Sequence, residues 1–174
     1  MRIGLLGGSF NPAHLGHLQI SKLAAKKLKL DQIWWIPTAQ NPLKDKSVYE
    51  PYEKRVKKAF EVAKNFRKIR LVKLDEIYSE KLVRRLKNQY KNNNFFWLMG
   101  ADNLEKFHQW KNFKKLIHLI PLAVFSRETF LKTAKKTKIF SIIKKYNHQK
   151  ILPKIMIFRN KNIDISSTKI RLSQ

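Results

Sequence analysis

Ile3-Gly4-Leu5-Leu6-Gly7-Gly8-Ser9-Phe10-Asn11-Pro12-Ala13-His14-Leu15-Gly16-His17 sets the frame for the rest of this chain. An apolar run, residues 3–6, ends in Gly7 and Gly8, and His14 and His17 follow at helical spacing. A buried strand, a glycine turn and a histidine-bearing helix start are built this way. Glycines let a backbone approach closely. A helix start offers unpaired N–H groups and the positive end of the helix dipole to an anion. Two imidazoles add donors at the same place. The local chemistry is that of a phosphate site. A histidine pair is also half of a metal site, but no third ligand stands near it in the sequence.

Outward from this stretch, strand and helix patterns alternate. Residues 2–6 form the first expected strand, and 18–30 a helix with Ile20, Leu23, Ala24 and Leu28 on one stripe. Residues 32–36 read as a strand stopped by Pro37, with a polar loop over 38–46. A helix is expected over 51–66 with Val56, Ala59, Phe60 and Ala63 aligned, then a strand over 69–74 and a helix over 80–90. Residues 95–99 are continuously apolar, as in a strand buried on both faces. Short helical segments near 104–107 and 113–118 follow, then a strand over 122–125 and a basic helical region over 130–146. A strand over 154–158 and a capped terminal helix after Ile165 complete the series.

No repeat or linker divides the chain. The expectation is one domain, residues 1–174, of the α/β class: a Rossmann-like, doubly wound, mainly parallel sheet with right-handed crossovers. Such sheets bind ligands beyond the carboxyl ends of their strands, at a switch point. The chemically suggestive segments (7–17, 38–46, 100–103, 126–127 and 165–171) all follow expected strands, so they converge on one edge.

At 174 residues and 43% hydrophobic content the chain can bury a real core. No apolar run approaches the ~18 residues of a membrane span. The first residues lead straight into a strand pattern, so no secretory signal is expected, and cysteine is absent, which excludes disulfides and thiolate metal sites. A cytoplasmic location is expected. Lys and Arg total 38 against 12 acidic residues, a formal charge of +26. That excess suits anionic partners, but the lysines are spread along the whole chain, as compositional drift would spread them. No aromatic–basic strand motif or helix-turn-helix pattern supports a nucleic-acid partner, so neither nucleic acid nor membrane is expected.

Three further groupings carry chemistry. Ser166-Ser167-Thr168-Lys169-Ile170-Arg171 places hydroxyls at a helix start and a guanidinium one turn on, and arginine grips phosphate bidentately. Gly100-Ala101-Asp102-Asn103-Leu104 sets a carboxylate after a central strand, where it can accept from ribose hydroxyls or an adenine amino group. Trp110, downstream of it, can stack on a flat ring or pack in the core. Lys44, in Asn41-Pro42-Leu43-Lys44-Asp45, and Arg127 are cations at the same edge.

The opening motif resembles the Gly-Gly-Ser-Phe-Asp-Pro-x-His-x-Gly-His signature of the nucleotidyltransferase superfamily of adenylyl- and cytidylyltransferases, with Asn11 where Asp is usual. The chain is similar nearly end to end to the nicotinate-nucleotide adenylyltransferases. The similarity runs through Trp34-Trp35-Ile36-Pro37 and its Asn-Pro-Leu-Lys loop, residues 96–104 with Phe107 and Trp110, residues 121–127, and residues 165–171. The resemblance implies adenylyl transfer from ATP, with Mg²⁺, to nicotinate mononucleotide, giving deamido-NAD and pyrophosphate in NAD biosynthesis. By the same likeness His14, His17, Ser167, Thr168 and Arg171 would be the catalytic set on ATP's phosphates. Gly7, Gly8, Ser9, Phe10 and Ser166 would line the nucleotide, with Asp102 near the adenosine. Lys44 and Arg127 would meet the mononucleotide phosphate, and Trp110, Thr38, Ala39 and Gln40 the nicotinate ring. Members usually carry Ser-Tyr-Thr-x-Asp-Thr-Leu where this chain reads Asp75-Glu76-Ile77-Tyr78-Ser79-Glu80-Lys81-Leu82; Tyr78 and Ser79 would stand in for the Tyr-Thr pair. Nicotinamide mononucleotide and phosphopantetheine are the alternative acceptors, and a basic nucleic-acid-binding protein is the reading from another class.

Overall fold

Strands and helices alternate along the chain as the apolar pattern requires. The computed structural model describes residues 1–39, 49–74, 76–126, 155–159 and 167–172. In order these are β1 (Arg2–Gly8), α1 (Leu15–Lys27), β2 (Gln32–Pro37), α2 (Tyr52–Ala63), β3 (Ile69–Leu71), α3 (Ser79–Gln89), β4 (Asn94–Gly100), α4 (Ala101–Glu105), a 3₁₀ turn (Phe107–Gln109), α5 (Phe113–Leu119), β5 (Leu122–Ser126), β6 (Ile155–Arg159) and α6 (Ser167–Leu172). The basic region expected to be helical over 130–146 lies outside the described residues.

The strands form one sheet in the order β3-β2-β1-β4-β5-β6, every pair parallel. From β1 the chain winds outward through β2 to β3, then returns to β4 and winds the other way. The switch point therefore falls between β1 and β4, where a doubly wound sheet opens its ligand crevice.

Side-chain alternation divides the core in two. Ile3, Leu5, Trp97, Met99, Leu122 and Val124 pack on one face with Val83 and Leu86 of α3 and Leu116 and Ile117 of α5. Leu6, Leu98, Ala123 and Phe125 pack on the other with Ala24 and Ala25 of α1 and Ala59 and Ala63 of α2. Helices cover both faces, which is why the central strands read as continuous apolar runs.

Three elements depart from expectation for local reasons. The helix α1 begins at Leu15, three residues before the expected start, because His14 caps it. It ends early because Lys29 turns left-handed (φ 48). The Leu30 N–H then bonds the Ala25 carbonyl at 3.0 Å, the closing bond of a Schellman motif. The strand β3 stops at Leu71, beside a β2 that ends at Pro37, a residue with no N–H to continue the ladder. In α2 the buried stripe is Arg55, Ala59 and Ala63, while Phe60 is 54% exposed. Phe60 lines a groove of about 590 Å³ along the outer side of β3 with Phe66, Arg67 and Tyr90, away from the carboxyl edge of β1. No described helix is long and apolar enough to cross a membrane.

Candidate active site

The carboxyl end of β1 runs directly into the start of α1. There His14 and His17 make a reciprocal cap. The Gly16 N–H donates to His14 Nδ1 at 3.1 Å, and the His14 N–H donates to His17 Nδ1 at 3.2 Å. Imidazoles fill the roles that Ser or Thr and Glu usually take in a capping box. Each Nδ1 accepts, so each neutral ring carries its proton on Nε2. The rings lie 4.0 Å apart, centroid to centroid. Behind them a buried relay fixes the first turn: Trp35 Nε1 donates to Ser21 Oγ at 2.8 Å, and Ser21 Oγ donates to the His17 carbonyl at 2.9 Å.

The turn between β1 and α1 gains its shape from Phe10, not from a glycine. Phe10 takes φ 46, and no glycine has a positive φ. Its ring is buried, stacked on Trp35 at 5.1 Å and tilted against His17 at 4.8 Å, so contact with a ligand falls to its backbone. Gly7 serves close approach instead: a Cβ there would stand 3.0 Å from the Trp97 indole.

The far end of the chain closes on this turn. Ser167 Oγ donates to the Pro12 carbonyl at 2.9 Å across 155 residues of sequence. The Arg171 guanidinium donates to the Asn11 carbonyl and, at 3.4 Å, to Thr168 Oγ1. The histidine motif and the Ser-Thr-Lys-Ile-Arg run thus meet at one place. Asn11, which stands where the motif usually has Asp, is a buried joint: its side-chain oxygen accepts the Glu50 N–H at 3.1 Å.

On the other side of the switch point stands Asp102, in the first turn of α4. A Cβ on Gly100 would collide with Asp102 Oδ1 and lie 3.7 Å from Ile20 of α1, so the carboxylate leans back over the end of β4 beside α1. Trp110 packs edge-on against Trp97 at 6.1 Å and Phe107 at 5.3 Å. The Trp97 indole N–H is buried there without a partner among the described residues. Next to Trp110, Lys111 Nζ sits 4.5 Å over the Tyr78 ring, so the expected ring-binding segments share a wall. Ser79 opens α3 beside Tyr78. Below, the Arg84 guanidinium holds the buried Glu80 carboxyl beneath the usual carboxylate range against the effect of burial, and Asn112 Nδ2 donates to it at 3.3 Å.

Thr38 lies at the same edge, its N–H bonded to the Gly8 carbonyl at 2.9 Å, with Ala39 beside it. Gln40, Lys44, Arg127 and Ser166 lie outside the described residues.

Sequence reasoning missed Arg55. Its side chain is 1% exposed and donates to the carbonyls of Ser9, Thr38 (3.0 Å), Ala39 (2.8 Å) and Glu50 (2.9 Å). The rings of Tyr49 and Tyr52 flank it at 5.2 and 5.4 Å. Burial lowers its pKa from the usual guanidinium value. The available signal was its spacing: Arg55 stands four residues before Ala59 and eight before Ala63, on the inward stripe of α2.

Among the described residues no group of three His, Cys, Asp or Glu side chains could hold a metal ion. Among its described residues the crevice offers N–H donors, the Arg171 guanidinium and the single carboxylate of Asp102, so a magnesium ion would be held on substrate phosphates rather than in a protein cage.

Residues 5–173 match the family described as cytidylyltransferase-like. A Methylorubrum extorquens protein named "Probable nicotinate-nucleotide adenylyltransferase" is 42% identical over 138 residues, 77% of this chain and 74% of that one. A Ruegeria protein of the same name is 42% identical over 131 residues, 73% of this chain and 68% of that one. Among solved structures, Plasmodium falciparum nicotinic acid mononucleotide adenylyltransferase complexed with NaAD shares the fold at a TM-score of 0.77 and 21% identity, covering 98% of this chain and 82% of that one.

Proposed function

Since the chain belongs to the cytidylyltransferase-like family and to the nicotinate-nucleotide adenylyltransferases within it, we infer that it transfers AMP from ATP to nicotinate mononucleotide, giving deamido-NAD and pyrophosphate. The observation that carries this reading at the level of the site is the meeting of two distant segments. The histidine-capped start of α1 and the Arg171 end of α6 close on the same turn, at the carboxyl edge of β1.

The chemistry follows from that arrangement. An oxygen of the mononucleotide phosphate attacks the α-phosphorus of ATP in line; the new P–O bond forms as the bond to the β-phosphate oxygen breaks. The nucleophile is already an anion at neutral pH, so no side chain need remove a proton. That suits the two imidazoles, whose Nδ1 atoms accept within the cap and whose Nε2–H groups act as oriented donors. His14, His17, Thr168 and Arg171 stabilise charge on the phosphates, and Ser167 holds α6 in place. Carried on ATP, Mg²⁺ would supply charge neutralisation on the pyrophosphate leaving group. Asp102 meets the adenosine. Trp110 and Tyr78 wall the pyridine ring, with Thr38 and Ala39 offering backbone groups.

The test is pyrophosphate release from ATP and Mg²⁺ with each acceptor in turn. Nicotinate mononucleotide is expected to give the highest kcat/KM. Silence with it, and turnover of nicotinamide mononucleotide or phosphopantetheine, overturns the substrate assignment while sparing adenylyl transfer.

A further inference from the structure

Arg55 is the most deeply buried cation among the described side chains, and among the described residues its hydrogen bonds all go to neutral backbone carbonyls. Those carbonyls do not belong to its own surroundings alone. Ser9 follows β1, and Thr38 and Ala39 follow β2. The acceptors are thus the two adjacent loops at the carboxyl edge, one on the nucleotide side of the proposed site and one on the mononucleotide side. Among the described residues the loops are otherwise linked by the Thr38 N–H, which donates to the Gly8 carbonyl, and by the Glu50 N–H, which donates to Asn11 Oδ1.

A planar guanidinium has a rigid fork of donors, and two tyrosine rings fix its plane here. Acceptors gripped by that fork are held at a set spacing. A trans peptide also points its N–H opposite to its carbonyl. With the Ser9 carbonyl turned to Arg55, the Phe10 N–H is turned the other way. The Thr38 carbonyl turns the Ala39 N–H in the same fashion.

We propose that Arg55 is a positioning residue for adenylyl transfer: it locks the loops after β1 and β2 at a fixed separation and presents the Phe10 and Ala39 amides as paired donors, one to each substrate. This rests on the functional reading above. Lysine cannot replace it, because one ammonium cannot span carbonyls from two loops and Glu50 together.

The experiment compares wild type, Arg55→Lys and Arg55→Met in the full chain by two independent readouts. Steady-state kinetics with ATP and nicotinate mononucleotide should show kcat/KM lower by ~10²-fold in Arg55→Met, with KM raised for both substrates, and a smaller loss in Arg55→Lys. Amide hydrogen exchange should rise roughly tenfold or more, one hydrogen bond's worth of protection, in peptides covering residues 7–14 and 36–39 together, while β4 and β5 keep theirs. Uniform loss of protection across the sheet, or wild-type exchange in both loops, overturns the proposal. So does a variant with loosened loops and unchanged kcat and KM. Should Arg55→Met fail to fold, Arg55→Lys carries the same comparison. Should wild type make no deamido-NAD, the functional reading falls, and the exchange pattern still decides whether Arg55 couples the loops.

Discussion

Arg55 and Arg171 grip the same short turn from opposite sides, one through the Ser9 carbonyl and the other through the Asn11 carbonyl. Their surroundings make them different instruments. Arg55 is buried, flanked by rings and bonded to four carbonyls. Arg171 is half-buried on a short helix and, among the described residues, is bonded to one carbonyl and one hydroxyl. The lesson is that a guanidinium's role follows from how many of its five donors the fold consumes. The inner arginine shapes the site, and the outer one can meet a phosphate.

Substitutions can break this contrast, beginning with the largest expected effect. Arg171→Ala should cut kcat by ~10²–10³, the usual loss of one oriented donor, with little change in melting temperature. His17→Ala should match it in rate and also lose about 1 kcal/mol of helix capping. A thermal melt beside steady-state kinetics separates the two. Arg55→Met should show the reverse balance in stability, losing about 3 kcal/mol as several buried carbonyls lose their donor, read by urea titration. If Arg171→Ala unfolds the protein as readily as Arg55→Met, the division of roles is wrong.

Glu80 sharpens the point from the far wall, where a buried charge is matched by Arg84 and Asn112. Glu80→Gln should cost about 2 kcal/mol at neutral pH. The sign of the pH effect is fixed by the lowered pKa of Glu80 in the folded protein. Its contribution is present above the unfolded carboxylate value of roughly 4.3 and fades as pH falls through the lower folded value. The Gln variant should therefore lose part of the wild type's steepness in acid titrations of stability.

Asn11→Asp should have the smallest effect. The side-chain oxygen that accepts the Glu50 N–H survives the change, and the Arg171 guanidinium lies against the Asn11 backbone. Melting temperature should move by a few degrees at most and kcat should hold. A large loss in either would show that the neutral amide is required.

The reading of strands from apolar runs transferred well to the structure because β1, β4 and β5 are buried on both faces, and burial alone dictates their composition. Sheet order is different: it depends on which crossovers form, and no residue announces it. The start of α1 was displaced because histidine is not an ordinary N-cap residue, and its capping depends on ring geometry that spacing alone does not reveal. A glycine turn was the natural expectation for residues 7–10, yet the left-handed residue is Phe10, held by ring packing on Trp35. Arg55 was hidden by its company. In a helix carrying Lys54, Lys57 and Lys58, one more cation reads as solvated surface, and its spacing to Ala59 and Ala63 is the one sequence mark that sets it apart. The meeting of residues 11–12 with 167–171 was legible through family likeness, since a contact across 160 residues leaves no local trace.

That contact has a meaning in time as well as space. A ribosome adds Arg171 some 160 residues after Asn11, an interval on the order of ten to thirty seconds at ordinary synthesis rates. During it the sheet can grow outward from β1 while the phosphate clamp stays unmade. On the function proposed above, adenylyl transfer would then wait for α6 to be made and to close on the turn after β1.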